Sequence, residues 1–308
     1  MAAELIFGTV QLGLPYGVAN STGQPSEKEA IAMLAHAAAS GVRWLDTARA
    51  YGEAEFRIGA ALRRADCRML SVITKLTPLA GVSGEDGSAA VAAAMADLAK
   101  SRAALGLPRL PVVLLHRAEH FTSWGGAVWR CLVAERAAGS IGRTGVSVQS
   151  PEEALAATAN LDVQHVQLPI NLLDWRWEEA AKALAARPDI TVHARSVFLQ
   201  GLLVCGDVAT WPKSEGEAAA TIMAQLSRLA TVLGRDGVDD LCFSFVRGLP
   251  WLHGVVVGME TGAQLRRNLD LATRRPLTES ERSLVRSALP RLPETLLNPA
   301  LWAQRRGA

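Results

Sequence analysis

Tyrosine is scarce in this chain: 308 residues hold only two, Tyr16 and Tyr51, so any chemistry that needs a phenol has two places to come from. The four cysteines, Cys67, Cys131, Cys205 and Cys242, lie far apart and form no C-x-x-C pair. That spacing excludes the common zinc-ligand patterns and a disulfide framework, and points to single thiols in a reducing compartment. No metal site is expected. No run of about 18 apolar residues occurs, and no basic segment precedes an apolar stretch at the N-terminus, so a cytoplasmic protein without a membrane segment is expected. The net charge is only +2, with Lys and Arg dispersed, which gives no field suited to a nucleic-acid backbone. Two catalytic fingerprints are missing as well. The chain has no G-x-S-x-G and no cysteine beside a histidine, so no nucleophile stands out. The glycine-rich piece GTVQLGLPYG at 8–17 has the wrong spacing for the G-x-G-x-x-G turn of an open dinucleotide-binding sheet.

What is present is a core and a rhythm. Hydrophobic residues make up 49% and charged residues 20%, enough apolar surface for a large folded unit. Eight short apolar runs, at 6–10, 42–46, 69–75, 111–116, 141–147, 163–168, 190–195 and 252–258, have the length and β-branched content of buried strands. Helical segments rich in Ala, Leu, Glu and Arg separate them, several opened by caps: Ser26 with Glu29, and Ser150 with Pro151 and Glu153. Two further helices are expected at 238–247 and at 278–289, the latter opened by Thr278 and Glu281. Eight β-α alternations with nearly continuous apolar strands imply a parallel sheet covered by helices, and at this length closure into a (β/α)8 TIM barrel with extra helices. The loops at 81–88 and 206–217 are too short to be linkers, so residues 1–308 read as one domain.

Barrel sites form where strands end. Asp46 closes the second run, Lys75 the third and His116 the fourth, with Tyr51 just beyond the second. Singly, these read as a helix cap, a solvated lysine and a core histidine. Together they converge on one mouth of the barrel. A free phenol, with a pKa of about 10, is a weak acid unless a cation stabilises its anion. Lys75 would supply that charge, Asp46 would hold Lys75 protonated and in place, and His116 would donate a hydrogen bond to a substrate carbonyl. An acid without a nucleophile suits hydride transfer, which needs a bound cofactor.

At these positions the sequence resembles the aldo-keto reductase superfamily, in its bacterial form, whose Asp, Tyr, Lys and His tetrad matches Asp46, Tyr51, Lys75 and His116. Further pieces carry the likeness: GTVQLGLPYG, LDTARAYGEAE, ITK, VVLLH, GVS at 145–147, VQLPINLLD at 166–174, SVFLQGLL at 196–203 and VVVGMETGAQLRRNL at 255–269. The resemblance implies NADP or NAD bound in extended form at the strand C-termini. Gly8, Thr9 and Asp46 would border the cofactor, Ser147 and Gln167 would hold its carboxamide, and Val148 stands where the family usually has Asn. Arg195 occupies the place of a stacking aromatic, and a guanidinium plane can also stack on a ring. Ser196 and Gln200 follow it, and Asn171 lies beyond the sixth run, as a pocket residue or a turn cap. Gly258, Thr261, Gln264 and Asn268 match the adenosine-binding turn and helix, where Arg266 and Arg267 are candidates for a 2′-phosphate. Trp124, Trp129, Trp175, Trp177 and Trp302 follow other strand ends and suggest an apolar or aromatic small-molecule carbonyl, or else plugs of the barrel end. Two activities follow. One is carbonyl reduction or alcohol oxidation with Tyr51 as acid and base. The other is NAD(H)-dependent regulation through a protein partner on the same barrel.

Overall fold

A computed structural model describes residues 2–82, 87–206, 211, 216–298 and 302. Parts of the 81–88 and 206–217 loops and most of the C-terminal tail lie outside these residues. Eight parallel strands close into a barrel in chain order: β1 (Glu4–Gly8), β2 (Trp44–Asp46), β3 (Ser71–Lys75), β4 (Leu110–Leu115), β5 (Ile141–Ser147), β6 (His165–Pro169), β7 (Thr191–Arg195) and β8 (Gly254–Gly258). The ring closes where β8 pairs with β1 from Glu4 opposite Gly254 to Gly8 opposite Gly258. This is the (β/α)8 TIM barrel that the alternation of runs implies.

Twelve helices accompany the strands: α1 (Val10–Gly13), α2 (Glu27–Ala39), α3 (Ala54–Leu62), α4 (Gly87–Leu105), α5 (Ala127–Ala137), α6 (Pro151–Ala159), α7 (Glu178–Ala185), α8 (Gly216–Val232), α9 (Val238–Arg247), α10 (Gly262–Thr273), α11 (Glu279–Ala288) and α12 (Glu294–Leu297), counted among the described residues. The caps explain where several begin. Ser26 with Glu29 and Thr278 with Glu281 form reciprocal capping boxes, each satisfying two orphan donors of a first turn. At Ser150 only half of the box forms, because the Glu153 carboxylate accepts from the Gln149 amide one residue earlier. α9 and α11 are the two extra helices expected at 238–247 and 278–289.

Strand alternation divides the core in two. Leu5, Phe7, Val72, Val113 and Val255 join the large cluster shared with the helices, whereas Ile6, Ile73, Val112, Leu114 and Val256 form a separate cluster filling the barrel. Each such side chain contributes about 1.5–3 kcal/mol by leaving water. The barrel interior also holds His165 and His193, edge to face with ring centroids 4.4 Å apart. All eight strands start and stop within two residues of expectation. The first lies two residues early: the Thr9 amide and hydroxyl both donate to the Asp46 carbonyl, and Val10–Gly13 then coil into α1 rather than extending β1 to residue 10.

Candidate active site

The base of the site is a buried ion pair. Lys75, 1% exposed, directs Nζ from the end of β3 to both Asp46 oxygens and to the Thr47 carbonyl, each at 2.9 Å. Asp46 Oδ1 also accepts from Gln167 Nε2 at 2.6 Å, so β2, β3 and β6 are tied at one level of the barrel mouth. Such a pair holds because each charge is met by its partner and by further hydrogen bonds; removal of one member typically costs about 3–5 kcal/mol.

Tyr51 stands over this pair, with Lys75 Nζ 5.2 Å from its ring centroid. Its loop is held by close backbone approach. A Cβ on Gly13 would fall 1.8 Å from the Tyr51 carbonyl, and one on Gly52 would fall 2.4 Å from the Gly13 carbonyl, while Gly52 itself has φ +51°. Only glycine fits both places without moving the tyrosine. Just after the loop, Glu55 is buried between Arg49 and Thr74, accepting from the Thr74 hydroxyl at 2.7 Å and ion-paired with Arg49. Gly13, Gly52, Arg49 and Glu55 thus position the Tyr51 loop. Sequence reasoning passed over them, although GLPYG and RAYGEAE contain all four.

His116 follows β4, its ring edge to face with Tyr51 at 6.1 Å between centroids. Its Nδ1 lies 3.1 Å from the Leu76 carbonyl. A carbonyl only accepts, so Nδ1 carries the hydrogen and Nε2 of the neutral ring is bare. Burial, and then the neighbouring Lys75 charge, push its pKa down to about 4, so the ring is neutral near pH 7. With the hydrogen on Nδ1, Nε2 is an acceptor, whereas the expected role needs a donor.

Tyr51, His116 and Asp46 open into one cavity of about 990 Å³, and Gly8, Thr9, Ser147, Gln167, Arg195, Ser196, Gln200, Gly258, Gln264 and Asn268 line it too. Lys75 lies beneath. Thr261 is absent from the wall: its hydroxyl accepts from the Gln264 amide and caps α10. Two buried acceptors along the wall, Gln167 Oε1 and Gln11 Oε1, have no hydrogen-bond partner, which fits a ligand bearing amide or hydroxyl donors. Ser196, Leu199 and Gln200 hold positive φ of 64°, 48° and 54°. Backbone strain of this kind, about 1–3 kcal/mol per residue, concentrates at ligand-binding loops. Arg195 donates Nη2 to the Val148 carbonyl at 3.1 Å and Nη1 to the Ser196 hydroxyl at 3.3 Å, and desolvation lowers its pKa. Residue 148, where a hydrogen-bonding side chain was missed, thus takes part through its backbone.

Three sets of candidate residues lie off the cavity or are otherwise engaged. None of the five tryptophans lines the cavity. Trp129 and Trp177 are buried in the strand–helix core, and Trp175, 47% exposed, donates to the Leu292 carbonyl with Arg291 over its ring. Trp124 packs against the same core and Trp302 donates to the Leu296 carbonyl. Tyr16, Asn20 and Gln149 are among the residues that do line the cavity, so the aromatic-carbonyl reading loses the support of the tryptophans. Asn171 is a turn residue, accepting from the Leu173 amide at 2.9 Å, and lies off the cavity. Arg266 is exposed and off the wall as well, while Arg267 lines the cavity but is bound to Asp239 and Asp236. No group of three or more His, Cys, Asp or Glu suited to a metal ion occurs among the described residues, and none of the described helices is long and apolar enough to cross a membrane.

Comparison with known proteins agrees with this geometry. The fold is similar to that of aldo-keto reductase AKR11C1 from Bacillus halodurans, solved in its holo form, at TM-score 0.75 and 18% identity over 94% of this chain and 93% of that one. It is also similar to the glycerol dehydrogenase AKR11B4 from Gluconobacter oxydans, at TM-score 0.73 and 20% identity over 95% and 94%. A search of curated proteins gives no match. The profile of the Aldo/keto reductase family matches residues 4–290, and the protein accordingly belongs to that family of oxidoreductases, which use NADP or NAD.

Proposed function

We propose that the protein interconverts a small-molecule aldehyde or ketone and the corresponding alcohol, with Tyr51 as general acid and base and residues 1–308 acting as one domain. The observation that carries this is the Asp46–Lys75 pair packed beneath the Tyr51 ring, which lines a cavity of about 990 Å³. Gln167 and Ser147 would hold the carboxamide of the cofactor, and Arg195 would lie against its ring. When bound, the reduced nicotinamide supplies the hydride.

The residues of this chain handle the proton. In reduction, the Tyr51 hydroxyl gives its proton to the carbonyl oxygen as negative charge builds there, and the Lys75 ammonium stabilises the phenolate left behind. Asp46 and Thr47 keep that ammonium fixed and charged. In alcohol oxidation the phenolate takes the proton back, and the bare Nε2 of His116 accepts from a hydroxyl of the substrate, which orients it. With none of the five tryptophans on the wall and with Tyr16, Asn20 and Gln149 among its lining residues, a hydroxylated carbonyl compound is favoured over an aromatic one. The buried thiols Cys67 and Cys242 fit a reducing, cytoplasmic setting.

The test is turnover. Purified protein with NADH or NADPH and a panel of hydroxylated and aromatic aldehydes and ketones should consume the reduced cofactor, faster with the hydroxylated members. Cofactor binding without turnover of any carbonyl would instead favour a regulatory barrel that works through a protein partner.

A further inference from the structure

Tyr51 and His116 fix the reacting end of the cavity, so the opposite end, between α9 and α10, is left for the other half of a dinucleotide. NADP and NAD differ there by one phosphate, which carries nearly two negative charges at neutral pH and calls for uncommitted N–H donors. Arg267 is the arginine on this part of the wall, and each of its three nitrogens already donates to a carboxylate. Nε and Nη2 bind both oxygens of Asp239 at 2.7 and 3.0 Å, and Nη1 binds Asp236 at 2.7 Å. Neighbouring Arg274 is held in the same way by Asp236, Asp240 and Asp270.

Acidic groups face the cavity instead. Glu260 lines it and has no cation within 4.0 Å among the described residues; its Oε1 accepts from Gln264 Nε2 at 2.9 Å. Asp239 lines it too. A phosphate placed here would meet carboxylates and would have to take Arg267 away from two of them. A ribose hydroxyl meets an acceptor. Asn268 on the same wall is 6% exposed, and the contact of its side-chain nitrogen is the Met259 sulfur at 3.9 Å. A polar group so buried and so poorly met is suited to the edge of a purine base.

We propose that the protein selects NAD(H) over NADP(H), with Glu260 accepting from the adenosine ribose and the Asp236–Arg267–Asp239 network withholding the cation that a 2′-phosphate requires. The inference rests on the proposed function, because it needs the nicotinamide end at Tyr51. Isothermal titration without substrate tests it. NADH binds at least about 30-fold more tightly than NADPH, and Glu260→Gln weakens NADH by about 10-fold without weakening NADPH, the scale of one hydrogen bond to a charged group. Asp239→Asn, by releasing Arg267, strengthens NADPH by about 10-fold with little change for NADH. Equal or tighter binding of NADPH by the wild type overturns the selection, and unchanged NADH affinity in Glu260→Gln overturns the role of that residue. Binding of neither cofactor overturns the proposed function itself.

Discussion

Replacing Lys75 by Met would leave the Asp46 carboxylate buried with one remaining side-chain donor, Gln167 Nε2 at 2.6 Å, in place of the two contacts from Nζ at 2.9 Å. Breaking a buried pair in this way costs about 3–5 kcal/mol, a large share of the roughly 5–15 kcal/mol that keeps a protein folded. Urea denaturation should show the loss as a lower midpoint at unchanged slope. A second substitution separates stability from catalysis. In Lys75→Met with Asp46→Asn the stranded charge is gone, so at least half of the lost stability should return. Turnover should stay as low as in the single variant, because the cation beside Tyr51 is still missing. A single variant that loses under about 1 kcal/mol, the scale of an exposed ion pair, would refute the reasoning, as would a double variant that regains activity.

Two further outcomes follow from groups outside the reaction. His165 and His193 are neutral inside the barrel: desolvation lowers both, His193 to about 3. The unfolded chain takes up protons on these rings below about pH 6.5 while the folded one does not. Stability is therefore fully present above that pH and falls as pH drops towards 3, by about 2 kcal/mol at pH 5 for His193. Denaturation at pH 7.5 and 5 measures the loss, and His193→Gln should reduce it by about 2 kcal/mol; a loss unchanged in that variant contradicts the assignment. Gly13→Ala would place a Cβ 1.8 Å from the Tyr51 carbonyl and 2.6 Å from the Ala54 amide, displacing the catalytic loop. It should lower kcat by at least about 10-fold with circular dichroism unchanged, and wild-type kcat would show that the loop tolerates the shift.

The barrel was legible because its strands are buried on both faces, so each reads as an apolar run, and because the helix caps at Ser26 and Thr278 are local signals. Asp46, Tyr51, Lys75 and His116 stood out only as a group: each has an ordinary structural use, but three ionisable residues closing successive apolar runs, with Tyr51 just beyond the second, point to one mouth of the barrel. What escaped depended on distance in space. Nothing local says that Gly13 meets Tyr51 across 38 positions, or that Arg267 is held by Asp236, just before α9, and by Asp239 in its first turn. The tryptophans misled because strand-end position alone does not tell a residue facing the mouth from one facing the helix layer. Hydrogen placement on His116 likewise required the Leu76 carbonyl, which lies on the neighbouring strand's extension.

The central claim is that Tyr51 moves the proton, and Tyr51→Phe tests it most directly because it removes one oxygen and keeps the ring over Lys75. Steady-state kinetics on a carbonyl substrate of the wild type, together with cofactor titration of both proteins, should show kcat lowered by about 10²- to 10⁴-fold, the range of a general acid, at nearly unchanged cofactor affinity. Wild-type turnover by Tyr51→Phe would contradict the account and leave the tyrosine as a packing residue.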